Sequence, residues 1–209
     1  MTKEELFEKN KKVLSKYIPE NAVNKACSLI FEYDFKLIIK GDRKSKWGDF
    51  KSKYKNNNFP AITVNASLNK YAFLITYIHE IAHCKTFREY GHKVEAHGIE
   101  WKKNFQYLMK DFLNTDIFPL DVLYALRKHL VNPPASATAD VELYKILSSY
   151  DENKNSFITI EHLKDGDTFE FEGEIYQRIS VRRKRIECIQ LSTKRKYLFQ
   201  PIVEVKPKL

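Results

Sequence analysis

The chain has 209 residues, 43% hydrophobic and 30% charged, a balance that describes a globular protein with one full domain and an appendage, or two small domains. Its most apolar run, residues 71–78 (YAFLITYI), is far short of the ~20 residues needed to cross a bilayer. Three isolated cysteines, Cys27, Cys84 and Cys188, exclude a disulfide scaffold and a four-cysteine zinc ribbon. Lys and Arg outnumber Asp and Glu by 36 to 27, and the excess is regional: residues 1–131 carry a net +8 and residues 132–209 a net +1. Such a bias favours a polyanionic partner, nucleic acid first. The opening MTKEELFEKNKK is charged throughout and does not read as a secretory signal, so a reducing, cytoplasmic setting is expected.

Thr2-Lys3-Glu4-Glu5 has the form of a capping box. Leu6, Phe7, Val13, Leu14 and Tyr17 share one helical face, which predicts an opening helix that ends before Pro19. A second helix is expected over residues 20–31. Residues 35–40 (FKLIIK) roughly alternate apolar and basic, as a half-buried strand does. Gly41-Asp42 and Gly48-Asp49 are turn signals, Asn56-Asn57-Asn58 marks a loop, and residues 61–64 read as a short strand opened by Pro60. One or two hairpins, hence a small antiparallel sheet, therefore precede a helix over residues 69–90 that stops at Gly91. Further helices are expected over 99–112 and, after Pro119, over 120–130.

Asn132-Pro133-Pro134-Ala135-Ser136-Ala137 is the best linker in the chain, with a helix over 140–150 beyond it. From Ser156 onwards the pattern switches to period two in FITIEHL, TFEFEG, EIYQRISV, RIECIQL and KYLFQPIVEV. Five short strands in this space suggest a small barrel or curled sheet. The expected organisation is α+β: a first domain over residues 1–131, a linker and helix over 132–155, and a small all-β, barrel-like module over 156–209.

The chemistry concentrates in His79-Glu80-Ile81-Ala82-His83. Histidines at i and i+4 project from one face of a helix, close enough for both imidazoles to reach one Zn²⁺. A glutamate beside the first can act as general base on a metal-activated water. The bland alternative is a partly buried helix whose two histidines cap polar pockets. A catalytic zinc needs a third protein ligand, and Glu89, His92, Glu95, His97 and Glu100 are the candidates downstream. An HExxHxxGxxH site would need glycine at 86 and histidine at 89, where the chain has Thr86 and Glu89. His92 sits at the Gly91 turn, too early to come back. His97, followed by Gly98 and a new helix, has loop enough to return, with Glu100 as the fallback.

HEIAHCKTFREYGHKVEAHGIEWKKNF resembles the active-site region of SprT-like zinc metalloproteases, the group that includes bacterial SprT and the eukaryotic DNA–protein crosslink protease Spartan. Their pattern is HExxH, about a dozen residues, then HG, two residues and an aromatic at a helix start; His79, Glu80, His83, His97, Gly98 and Trp101 match it. The order of elements over about residues 1–130 also fits. The resemblance implies a zincin-like metalloprotease domain, with His79, His83 and His97 holding one catalytic zinc and Glu80 as catalytic base. Many SprT-like proteins end in a cysteine zinc ribbon, and here a β-rich segment stands in its place.

Residues 36–55 hold eight Lys and Arg against two Asp, with Trp47, Phe50 and Tyr54 interleaved. Lys36, Lys40, Arg43, Lys44, Lys46, Lys51 and Lys53 can track phosphates while Trp47 stacks on an unpaired base. Equally, the segment can be a solvated hairpin with its aromatics in the core. Residues 156–177 carry six acidic residues and one lysine, whereas 178–196 carry eight basic residues and only Glu187. These charges can pair across a sheet, or Arg182, Arg183 and Arg185 can make a second nucleic-acid contact. His129 and His162 have no ligand partner at useful spacing and read as ordinary surface or half-buried residues. Cys84 points about 100° round the helix from His83 and reads as packing, and Cys27 and Cys188 read as core thiols.

The expected function is zinc-dependent endopeptidase activity on DNA-associated proteins, with a protein substrate, single-stranded or branched DNA as partner, and no membrane. Two other classes remain: a nucleic-acid-binding module with a structural zinc, and a metal-dependent hydrolase of a non-peptide substrate.

Overall fold

Local capping signals place the first helices. In a computed structural model of the chain, described for residues 2–41, 43, 46–53, 59–151 and 158–208, the Glu5 N–H donates to Thr2 Oγ1 at 3.1 Å and the Thr2 N–H to the Glu5 carboxylate at 2.9 Å. This reciprocal box opens α1 (Lys3–Leu14). After Pro19 a short 3₁₀ turn leads into α2 (Val23–Glu32). Asn69 caps α3 (Lys70–Tyr90), its Oδ1 accepting from the Tyr71 and Ala72 N–H groups. Gly91 stops that helix with φ 63°, a conformation that favours glycine. Then come α4 (Ile99–Met109), α5 (Leu120–Val131) and α6 (Val141–Ser148), the last capped by Asp140. No described helix is long and apolar enough to cross a membrane. The chain divides into two units, Met1–Asp151 and Glu152–Leu209, and its architecture is mixed α+β.

In the first unit β1 (Lys36–Lys40), β2 (Gly48–Lys51) and β3 (Ala61–Asn65) form one sheet in the order β1-β3-β2. The antiparallel sheet expected from hairpin signals needs correction. β2 does pair antiparallel with β3, but β1 pairs parallel with β3, Lys36 opposite Ala61. Every residue of β3 is buried, so the most apolar strand takes the centre and β1 and β2 flank it. The loop Asn56-Asn57-Asn58, and with it Tyr54, lies outside the described residues.

α3 packs on β2 and β3 and is covered by α4. Phe73, Leu74, Tyr77, Ile78 and Ile81 of α3 share one core with Trp101 and Phe105 of α4, Val122 and Leu126 of α5, and Leu143 and Leu147 of α6. Each such large apolar side chain contributes about 1.5–3 kcal/mol when fully buried. The fully buried Tyr77 hydroxyl donates to the Ala26 carbonyl at 3.0 Å, which offsets the cost of taking it out of water. Helix α6, beyond the proline-rich stretch, is part of this core.

The second unit is a sheet of β4 (Ile158–Thr159), β5 (Thr168–Phe171), β6 (Glu174–Arg182), β7 (Arg185–Gln190), β8 (Lys196–Phe199) and β9 (Glu204–Lys208), in the order β4-β9-β5-β6-β7-β8. It is open, so the barrel-like expectation is corrected. KYLFQPIVEV does not run as one strand. A turn at Pro201-Ile202 splits it, and β9 inserts between β4 and β5 instead of extending β8 towards closure. Phe169, Tyr176, Ile186, Cys188, Phe199 and Val205 make its core.

Candidate metal centre

His79 and His83 lie one helical turn apart on α3, and the chain returns to them after the Gly91 stop. Asn104 of α4 fixes that return: its amide donates to Thr86 Oγ1 at 3.0 Å and to Glu89 Oε2 at 2.8 Å. The segment just before α4 thus lies over the histidine face and delivers His97. The three Nε2 atoms converge, 3.2 Å from His79 to His83, 3.0 Å from His83 to His97 and 3.4 Å from His97 to His79.

Among the described residues these three form the group whose ligand atoms lie close enough to hold a metal ion. Nitrogens at the ~2.0–2.1 Å bond length of a tetrahedral zinc site stand roughly 3.3–3.4 Å apart, so the triangle suits that ion. Burial and the neighbouring His83 hold His79 well below the usual imidazole range. Burial, reinforced by His97, takes His83 down to about 3. His97 is lowered by burial and by Lys102. Three neutral imidazoles aiming nitrogens at one point are the form that ligates a metal. The other candidates are placed elsewhere. Glu89 accepts from Lys85 and Asn104, and the exposed His92 packs against Phe87.

The Trp101 indole is fully buried against all three imidazoles, with ring centroids 4.6 Å from His79, 5.2 Å from His83 and 4.7 Å from His97. Its Nε1 is buried without a hydrogen-bond partner, so shape rather than polarity holds it there. Phe105 stacks beneath it at 5.2 Å.

Glu80 is 6% exposed. Burial, with Asp49 nearby, raises its carboxyl to about 8 against the opposing pull of Arg43 and Lys46, and the Phe50 N–H donates to it. β2 is built for that contact. The Asn65 N–H donates to the Trp47 carbonyl at 2.8 Å, and antiparallel alternation then turns the backbone groups of Gly48 and Phe50 to the outer edge of β2. Glu80 and His79 line a cavity of about 340 Å³, together with Gly48 and Trp47 on one side and His129 and Ser136 on another. His129 departs from the expectation of a surface or half-buried residue. It is 4% exposed, because α5 packs it against Phe105 and Asp140.

The basic candidates divide. The Arg43 guanidinium is committed within the sheet, to Asn65 Oδ1 at 2.8 Å and Thr63 Oγ1 at 2.9 Å. Trp47 stacks on Tyr144 at 5.9 Å. Lys46 pairs with Asp49 at 2.9 Å, and Lys51 lies 4.0 Å from the same carboxylate. Lys36, Lys40 and Lys53 are exposed, and Lys44 lies outside the described residues. In the second unit Arg182 and Lys196 converge on Glu187 at 3.3 Å and 3.8 Å, and Arg178 pairs with Asp165 at 2.9 Å. Arg183 and Arg185 are exposed at the β6–β7 turn.

Two features of the cavity wall escape the sequence pattern. Gly48 reads there as a turn marker, and His129 offers no ligand spacing; a His-to-Asp separation of eleven residues across a proline-rich stretch is the one signal that points at Asp140. Comparison with protein-family models, with curated proteins and with solved structures finds no match to this chain.

Proposed function

We propose that the first unit is a zinc-dependent endopeptidase of SprT-like type with a zincin-like fold, acting on DNA-associated proteins. The observation that carries this is the Nε2 triangle of His79, His83 and His97, 3.0–3.4 Å on a side, with the buried Glu80 carboxylate beside it. A closed structural site has no use for an adjacent carboxylate or an adjoining cavity; a hydrolytic one needs both.

His79, His83 and His97 would hold the zinc, and Trp101 and Phe105 fix the imidazoles. Bound there, zinc supplies a Lewis acid that acidifies water and polarises a carbonyl, and its charge draws Glu80 back towards the carboxylate. Glu80 takes a proton from the attacking water. The Phe50 N–H and the bare Cα of Gly48 fix where its carboxylate stands. With the Phe50 N–H held by Glu80, the Gly48 backbone groups and the Phe50 carbonyl on the outer edge of β2, beside the cavity, are left to bond the main chain of an extended peptide. The +8 excess over residues 1–131 and the exposed Lys36, Lys40 and Lys53 support a nucleic-acid partner near the site.

The test is cleavage of a DNA-binding protein by wild type and Glu80→Gln, with and without single-stranded DNA, with zinc quantified in both proteins. Cleavage that needs DNA and vanishes in Glu80→Gln while zinc remains bound supports the proposal. Zinc without cleavage under any DNA condition overturns the peptidase assignment and leaves a different substrate class or a structural zinc.

A further inference from the structure

His129 stands in the last turn of α5, its ring almost wholly enclosed. Its Nδ1 lies 2.9 Å from Asp140 Oδ2. The other oxygen of that carboxylate accepts the Leu143 N–H at 3.2 Å as the N-cap of α6, so Asp140 is fixed at both ends. A Lys128–Glu142 ion pair at 2.5 Å joins the same two helices. On its other side the imidazole meets Phe105 edge to face at 6.3 Å, and Phe105 in turn packs on His79 at 5.6 Å. One aromatic ring therefore sets the position of His129 relative to the metal centre.

An ionised carboxylate only accepts, so Nδ1 carries the hydrogen and Nε2 carries the lone pair. Nε2 has no hydrogen-bond partner among the described residues. Nor is it one of the fully buried polar atoms left without a partner, which among those residues are Trp101 Nε1 and Arg178 Nε. The ring lines the same cavity as His79 and Glu80. A buried imidazole oriented by a carboxylate, in the wall of a reaction cavity and with its second nitrogen uncommitted, is the arrangement by which a side chain takes up and releases a proton within one turnover.

We propose that His129, held by Asp140, is a second catalytic residue of the hydrolysis: its Nε2 carries a proton from Glu80 to the nitrogen that leaves. The assignment rests on the hydrolase reading of the site. In cleavage of an amide, the hydroxyl of water joins the carbonyl carbon and the remaining proton must reach nitrogen as the C–N bond breaks. Glu80 takes that proton from water, His129 receives it at Nε2 while Asp140 stabilises the imidazolium, and the departing amine takes it from Nε2. Glu80 ends as carboxylate and His129 as neutral imidazole, each as it began. Burial holds the His129 imidazole below its ordinary range, with Asp140 opposing, so it starts the cycle uncharged and able to accept.

The experiment uses the zinc-loaded full chain as wild type, Glu80→Gln, His129→Gln and Asp140→Asn. Asparagine caps a helix as well as aspartate does, so Asp140→Asn keeps the α6 cap while it removes the charge and sets an amide NH2, which cannot accept, against His129 Nδ1. Both dyad variants are expected to keep the zinc content of the wild type and to lower kcat by about 10²-fold or more with KM little changed. The ¹⁵N shifts of the His129 ring are expected to show the Nδ1–H tautomer in wild type and its loss in Asp140→Asn. Peptide hydrolysis that survives both dyad substitutions within about threefold, or a wild-type ring protonated at Nε2, overturns the assignment and leaves the hydrolase reading intact. Absence of hydrolysis in the wild type overturns that reading and this assignment with it.

Discussion

Gly48 lies so close to Glu80 that a Cβ built on it would stand 2.5 Å from Glu80 Oε1, with Thr76 Cγ2 at 2.7 Å. No real Cβ tolerates such contacts. Gly48→Ala must therefore push the Glu80 side chain off its present position, while the histidines are left alone. Misplacement of a catalytic group by about 1 Å costs on the order of 10²-fold in rate. The expected outcome is a loss of kcat of that size with one zinc still bound per chain, read by steady-state kinetics and metal analysis on the same preparation.

Trp101 should matter to both stability and metal affinity, because one ring supports three imidazoles. Trp101→Ala opens a cavity in the core and is expected to cost about 3–5 kcal/mol. Trp101→Phe keeps much of the ring and removes the unpartnered N–H, so its cost is expected to be smaller. Urea denaturation of both variants checks the order, and zinc titration should show weaker binding in Trp101→Ala than in Trp101→Phe.

Much of the first unit is legible locally. The Thr2–Glu5 box, the Asn69 cap and the Gly91 stop are each written in a few adjacent residues; α1 starts from the first and α3 is bounded by the other two. What is not legible is pairing at a distance. The β1–β3 parallel ladder depends on which strand takes the centre, a question settled by burial of all five β3 residues and not by any turn signal. The open second sheet depends on where β9 pairs after Pro201. In the site, the histidine spacing on α3 is a local pattern. Gly48 and His129 are not, since each acquires its position from elements that meet only in the folded unit.

Arg43 is expected to behave as a structural residue. Its guanidinium bonds Asn65 and Thr63 of β3 and reaches the Trp47 carbonyl at 3.5 Å. Removing it leaves the buried Asn65 and Thr63 short of a partner, at a cost of about 1–3 kcal/mol. Arg43→Ala should thus lower the denaturation midpoint while changing the affinity for single-stranded DNA less than Lys36→Ala and Lys40→Ala combined. Fluorescence anisotropy across a salt series separates the two effects.

His129 also makes stability depend on pH, and the sign follows from its burial. The unfolded chain binds a proton at this imidazole near pH ~6.5, whereas the folded chain does so only at lower pH. Between those two points the unfolded state holds more protons, so stability falls as pH falls through that window, by at most about 1.4 kcal/mol per unit for one group. In His129→Gln this component is gone. The variant should lose less stability than wild type between about pH 7.5 and about pH 5.5, measured by urea unfolding.

The most direct test of the whole account is zinc bound per chain in the wild type, Glu80→Gln and His97→Ala. The three-histidine site predicts one zinc in the wild type and in Glu80→Gln, and its loss or marked weakening in His97→Ala. A wild-type chain that takes up no zinc, or a stoichiometry that His97→Ala leaves untouched, would contradict it.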